Sequence, residues 1–319
     1  MTTATRLAAA LLVLSTPSHA TYSIVGVDTA HRQVGATATS CIGGSDVYIV
    51  YGSVPGTGVV VAQAAFHQPG RERAVELLQL GSDPQAILDE LTSSPFDGAA
   101  SVRQYAVADL TGRVAAFTGA DTGPYAADRQ GSLPGFAYSA QGNILTSGLV
   151  LTRAAAAFEA SACDLPARLL AALEAGAQGG EGDSRCTPDG IPSDSAFLQV
   201  DREGEAAGSW LSLRVPTSGS KSPLPELHAL FDDWRATHPC PVPAAPPESG
   251  GAANGGSGDD GTGDGLDASG CGCHAVGRAA VGRAAVGRVA VGVLLAAWVV
   301  ASRLRRRRGS GSLGSRDQA

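Results

Sequence analysis

An apolar leader ending in Ser18-His19-Ala20, followed at once by the alternating run Thr21-Tyr22-Ser23-Ile24-Val25-Gly26-Val27-Asp28, constrains this chain more than any other stretch. Residues 1–20 carry one cation at Arg6, an apolar run from Leu7 to Leu14, a proline-containing spacer, and small residues at Ser18 and Ala20. This is the build of a cleaved signal peptide, and a cut after Ala20 makes Thr21 the first residue of the mature protein. The α-amine and the hydroxyl then belong to one residue, the pairing that lets an N-terminal threonine serve as nucleophile and base together. An unperturbed α-amine titrates at roughly 7.7–8, close to where a general base works best.

The elements downstream alternate between strand runs and helix pairs. Tyr22–Asp28 and Val34–Ser40 read as a hairpin, and Val47–Tyr51 and Gly58–Gln63 as two further strands around a Val54-Pro55-Gly56-Thr57-Gly58 turn. Ala74, Leu77, Leu78 and Leu80 have helical spacing up to Gly81, and Asp83-Pro84 caps a second helix. Gln104–Asp109 and Arg113–Thr118 form another hairpin, followed by a polar loop to Gly135, a short strand over 136–140, and helices over 147–160 and 165–177. Strands over 195–200 and 210–215 and a helix over 224–237 complete the domain. The first four strands have no helix between them, so a doubly wound parallel sheet is excluded, and antiparallel sheets with helices packed outside are expected.

Four stretches carry a family resemblance: Thr21 to Asp28, the Gln63-Ala64 pair, Ala115-Ala116-Phe117-Thr118-Gly119, and Tyr138-Ser139-Ala140-Gln141-Gly142-Asn143. Over 21 to about 237 the chain resembles domain-of-unknown-function family 1028 (DUF1028). The resemblance implies an α+β fold of the N-terminal-nucleophile hydrolase kind, a four-layer αββα sandwich of two antiparallel sheets with the nucleophile opening a strand. It implies amide hydrolysis as the reaction type and names no substrate.

An acyl-transfer site needs a nucleophile, a base and donors for the developing oxyanion. Thr21 supplies the first two, and Asn143, beside Gly142, is the candidate side-chain donor. The single lysine, Lys221, sits in a Ser/Pro-rich loop, so tuning of the amine falls to polar groups such as Ser40, Gln63, or Asp183 with Arg185. His31 and His67 read as solvated loop residues without a partnered acid, and no Gly-Xaa-Ser-Xaa-Gly elbow is present. No cofactor is called for. Two readings follow, a surface amidohydrolase acting on an unknown amide-containing substrate, and a catalytically silent binding or adhesion module on the same fold.

Charge narrows the partners. The net formal charge is −7, but residues 21–270 hold 29 acidic and 13 basic side chains. Such a domain repels nucleic acid. The signal peptide and six cysteines suggest disulfides, with Cys163–Cys186 and Cys41–Cys240 as the expected pairs. Cys271-Gly272-Cys273-His274 has no matching second cluster, so no metal site is expected.

Residues 239–270 are rich in Gly, Pro, Ser and Asp and read as a flexible linker between a domain at 21–238 and a tail at 271–319. The tail holds an apolar segment, 289–302, that reaches a spanning length when extended back to Ala284, and a cluster at Arg303 and Arg305–Arg308. Under the positive-inside rule the cluster stays cytoplasmic and the domain lies outside, anchored to the membrane at the cell surface. The Cys-Gly-Cys, apolar and Arg-rich sequence resembles the sorting tails of myxobacterial surface proteins, which implies a sorting protease as a partner and processing near 271–273.

Overall fold

Period-two alternation in β1 (Thr21–Asp28) sends odd and even side chains to opposite faces, and all eight residues are buried, so both faces are covered. The structure, a computed structural model, describes residues 20–241. Strand β1 pairs antiparallel with β2 (Gln33–Ser40) on one side and with β8 (Phe136–Asn143) on the other. Outside these lie β9 (Ser195–Arg202), β10 (Leu211–Val215) and β7 (Ala127–Leu133), giving a six-stranded sheet of order β10-β9-β2-β1-β8-β7. A second sheet has the order β3-β4-β5-β6, built from β3 (Tyr51–Val54), β4 (Gly58–Ala64), β5 (Arg103–Asp109) and β6 (Val114–Thr118).

The even residues Tyr22 and Ile24 join a core with α3 (Leu149–Ala160), α4 (Leu165–Gly176) and α5 (Leu224–Arg235). The odd residues Val25 and Val27 meet Val59, Val61, Ala106 and Ala108 of the second sheet. On the far side of that sheet, Val60, Ala62 and Val107 pack on α1 (Gln68–Gln79) and α2 (Pro84–Leu91) through Leu78, Ile87 and Leu91. The result is helices, sheet, sheet, helices: an α+β sandwich of two antiparallel sheets. Each fully buried Val, Leu or Ile contributes about 1.5–3 kcal/mol, so three apolar layers supply the driving force for closure. Close approach decides one residue of β1. A β-carbon at Gly26 would come 2.9 Å from Leu165 Cδ1 and 3.2 Å from the Phe158 ring, so a larger residue there would force these side chains of α4 and α3 to shift.

Three local expectations are corrected. Val47–Val50 is a 3-10 turn rather than a strand, because the Asp46 side chain accepts from Tyr48 N and caps it. The stretch before Gly135, expected as a polar loop, contains β7, an edge strand with no fully buried residue, whose mostly polar sequence leaves no apolar alternation to read. The strand expected at 136–140 runs on to Asn143, and the helix after it begins at Leu149.

The disulfide pairing is also corrected: the bonds are Cys41–Cys186 and Cys163–Cys240. The segment after α4 crosses to the start of β1 and the end of β2, where Leu145 bridges Asp183 and Asp183 accepts from Cys41 N. The end of α5 meanwhile returns to the α3–α4 junction, where Arg235 pairs with Asp164. The predicted apolar span, the linker beyond residue 241 and residues 1–19 of the signal peptide lie outside the described residues. Among the described residues no helix is long and apolar enough to cross a membrane.

Non-reducing peptide mapping of the folded protein is expected to recover the Cys41–Cys186 and Cys163–Cys240 linkages. The paired change Cys163→Ser with Cys240→Ser should lower stability by about 2–4 kcal/mol in urea unfolding, since it frees the unfolded chain from a closed loop.

Candidate active site

Thr21 heads the strand at the centre of the larger sheet, opposite Ser40 of β2 and Asn143 of β8, and is 1% exposed. Its side chain has odd parity and so points into the space between the sheets. Thr21 Oγ1 donates to Ser40 Oγ at 3.0 Å, and Ser40 Oγ donates onward to the carbonyl oxygen of Ala20. Arg185 Nη2 donates to that same oxygen at 2.9 Å. The carbonyl bonded to the Thr21 nitrogen is therefore held between a hydroxyl and a guanidinium.

Arg185 is fixed in turn by Asp183. Its Nη2 lies 2.7 Å from Asp183 Oδ2 and its Nε 3.1 Å from Oδ1, while Cys41 N and Arg185 N donate to the same carboxylate. Burial pushes the Asp183 carboxyl above its ordinary value, and the hydrogen bonds and charge of Arg185 oppose the shift. The Cys41–Cys186 disulfide ties the Asp183 loop to the end of β2, one residue beyond Ser40. Cys41 and Cys186 also lie near Asp194, but the two sulfurs are bonded to each other and the Asp194 carboxylate accepts from Ile42 N and Gly43 N.

Two amides grip the other side of Thr21. Gln63 Nε2 and Asn143 Nδ2 donate to the Thr21 carbonyl at 3.2 and 3.4 Å, and both also donate to Gln104 Oε1 at 2.8 and 3.0 Å. Ser23 Oγ donates to Gln63 Oε1 at 2.6 Å, and Gln104 Nε2 donates to Thr118 Oγ1 at 2.9 Å and to the Gly142 carbonyl at 3.0 Å. An amide nitrogen has two hydrogens. Those of Asn143 go to the Thr21 carbonyl and to Gln104 Oε1, so in this geometry neither points to an open position.

The residue after each of these amides has a left-handed backbone: Ala64 at φ 67° and Ile144 at φ 51°. Such a conformation costs of order 1–3 kcal/mol, and for a β-branched residue like Ile144 it is a genuine outlier. Both turns lie where a strand must stop with its last polar side chain on Thr21. Ile144 also turns the chain toward the Asp183 loop, since its carbonyl accepts from Ser184 N and Ser184 Oγ.

All six residues singled out from the sequence, Thr21, Ser40, Gln63, Asn143, Asp183 and Arg185, thus meet at one end of the sandwich. Ser23 and Gln104 were missed. The signal available was parity: each is polar at an inward position of a strand whose other inward residues are apolar or small. His31 and His67 lie elsewhere, each near a carboxylate, though His67 Nδ1 makes no hydrogen bond and burial pushes its imidazole below the ordinary value. His31 Nδ1 is 2.8 Å from Asp28 at the far end of β1, and His67, before α1, is 3.5 Å from Asp97. Lys221 offers its carbonyl to Ser218 Oγ in the loop before α5.

The fold is an α+β sandwich of two antiparallel sheets, in which Thr21 opens an inner strand beside the Ser40 hydroxyl and the Arg185–Asp183 pair. The chain belongs to the family of unknown function DUF1028, whose model matches residues 21–227. It is similar to the crystal structure of protein SPO2555 from Silicibacter pomeroyi, described under the same family, with 27% identity and a TM-score of 0.57. That match covers 68% of this chain and 86% of the other. No curated protein matches the chain.

Replacing Arg185 by methionine should lower stability by about 2 kcal/mol at neutral pH, since it removes charged hydrogen bonds from a buried carboxylate. Without the guanidinium the Asp183 pKa rises further. The folded state then holds a proton that the unfolded state has released, so the deficit should shrink as pH falls through that raised value. Urea unfolding of both proteins between pH 7 and pH 4 measures it, and a pH-independent gap would count against the pair.

Proposed function

We propose that this domain is an amide hydrolase whose nucleophile is Thr21, exposed as the N-terminal residue once residues 1–20 are removed. The observation that carries the reading is the hold on the Ala20 carbonyl. Ser40 Oγ and Arg185 Nη2 both donate to it, and Ser40 Oγ also accepts from the Thr21 hydroxyl. A substrate carbonyl that takes the place of the Ala20 oxygen meets a hydroxyl and a cation on its oxygen and Thr21 Oγ1 beside its carbon.

The steps follow from that placement. Thr21 Oγ1 adds to the substrate's carbonyl carbon while its proton passes to the α-amine, and the negative charge that develops on the oxygen falls to Ser40 and Arg185. The C–N bond then breaks, and the leaving nitrogen takes the proton from the α-ammonium. A water adds to the ester left on Thr21, again giving its proton to the α-amine. The C–Oγ1 bond breaks, the proton returns to Oγ1, and the carboxylic acid leaves. Gln63, Asn143 and Gln104 hold the Thr21 main chain still throughout, which keeps nucleophile and carbon in register.

The reading also carries the cellular context proposed from the two ends of the chain: export by the signal peptide, attachment to the membrane through 271–319, and the domain outside the cytoplasm. Deleting 271–319 is expected to release the domain into the medium, and its persistence in the membrane fraction would refute the attachment.

Thr21→Ala and a mature form with one extra residue before Thr21 should each fail to form a covalent adduct with an amide-mimicking electrophile, read by intact mass. The first lacks the hydroxyl and the second has an amide where the base belongs. Thr21→Ser should keep part of the reaction, since its hydroxyl stays on the same carbon. A mature N-terminus elsewhere, or undiminished labelling of the alanine variant, would leave the binding-module reading in its place.

A further inference from the structure

Beside Thr21 lies a preformed cavity of about 50 Å³, which Thr21 and Ser40 line together with Ile42, Val47, Val50 and Phe66. Among the described residues no charged side chain lines it. Its polar lining is limited to the hydroxyls of Thr21, Ser40 and Ser45 and the amide of Gln63, so an acyl group with a charge near its carbonyl would lose its hydration there without a counter-charge in return. Size narrows the choice further. A cavity of about 150 Å³ lined by apolar side chains binds benzene, with six carbons, so a third of that volume admits about two or three carbons.

The walls are held rigidly. The loop that carries Ile42 is pinned by the Asp194 carboxylate, which accepts from Ile42 N and Gly43 N at 2.9 Å each, and by the Cys41–Cys186 bond. Val47 N donates to Ser195 Oγ at 3.0 Å. On the opposite wall, the left-handed turn at Ala64 leads the chain out of β4 and toward Phe66. Walls fixed by a disulfide, a buried carboxylate and a strained turn keep their volume, and that lets a cavity discriminate by size.

Two parts of an amide meet at the carbon under attack, the acyl group and the amine. The amine must depart before water attacks the ester, whereas the acyl group stays bound to Thr21 through both steps. A small, partly enclosed cavity suits the part that stays. We propose that this cavity is the acyl-side specificity pocket, and that the substrates are amides of short uncharged aliphatic acids with two or three carbons beyond the carbonyl. This rests on the reading of Thr21 as nucleophile.

The test uses the mature secreted protein and a series of p-nitroanilides: acetyl, propionyl, isobutyryl, butyryl, hexanoyl and benzoyl. The expected result is a maximum in kcat/KM between propionyl and butyryl, with hexanoyl and benzoyl lower by roughly tenfold or more, the discrimination a small apolar pocket exerts per misfitting methylene. Phe66→Ala should move the maximum to hexanoyl. Ile42→Ala, at a partly exposed wall position, should move it the same way if the first variant does not fold. Covalent labelling of Thr21 by the amide-mimicking electrophile is measured alongside. Labelling with turnover that is flat along the series, or unmoved by either wall variant, overturns the pocket and leaves the nucleophile standing. Labelling with no turnover of any anilide overturns the acyl assignment in the same way. Absence of both labelling and turnover overturns the nucleophile and, with it, the pocket.

Discussion

Everything at the candidate site depends on the pairing of β1 between β2 and β8. That register sets Ser40 and Asn143 on either side of Thr21 and turns the Thr21 side chain toward the second sheet. Because side chains in a strand alternate strictly, a slip of one residue would send Thr21 to the helix face and Tyr22 into the polar cluster. The register is protected by the cores on both faces. Tyr22 OH donates to the Leu173 carbonyl at 2.7 Å on one side, and Val25 and Val27 are buried on the other.

The polar cluster at this end is costly to bury, and its composition shows how that cost is met. Gln63, Gln104 and Asn143 share hydrogen bonds among themselves and with the Thr21 carbonyl, so most of the donors and acceptors removed from water find partners. Such a network holds only if each member is present, because a half-satisfied buried network is worse than an apolar one. The left-handed turns at Ala64 and Ile144 fit the same logic. Strain of this kind persists where the surroundings over-determine the backbone, here by strand pairing on one side and by side-chain hydrogen bonds from Gln63 and Asn143 to the Thr21 carbonyl on the other.

Arg185 and Asp183 illustrate a division between charge and support. The carboxylate is fully buried, and it holds the guanidinium beside the Ala20 carbonyl while accepting from Cys41 N. The disulfide next to it joins the two segments that carry these groups, so the covalent bond and the ion pair reinforce one placement.

Much of this was legible in the sequence because it is local. Alternation marked β1 as buried on both faces, and hairpin turns without intervening helices argued for antiparallel sheets. Each of these needs only neighbours within a few residues. What only the tertiary structure decided is of the opposite kind. Which cysteines pair, which hydroxyl meets Thr21, and that Arg185 meets the Ala20 carbonyl are contacts between residues 19 to 165 positions apart. Periodicity carries no information at that separation, because loop paths and sheet order determine the meeting. The role of Asn143 is the clearest case. Its residue type suited an oxyanion donor, but Gln104 and the Thr21 carbonyl, brought within reach by the stacking of two sheets, take up both of its N–H groups.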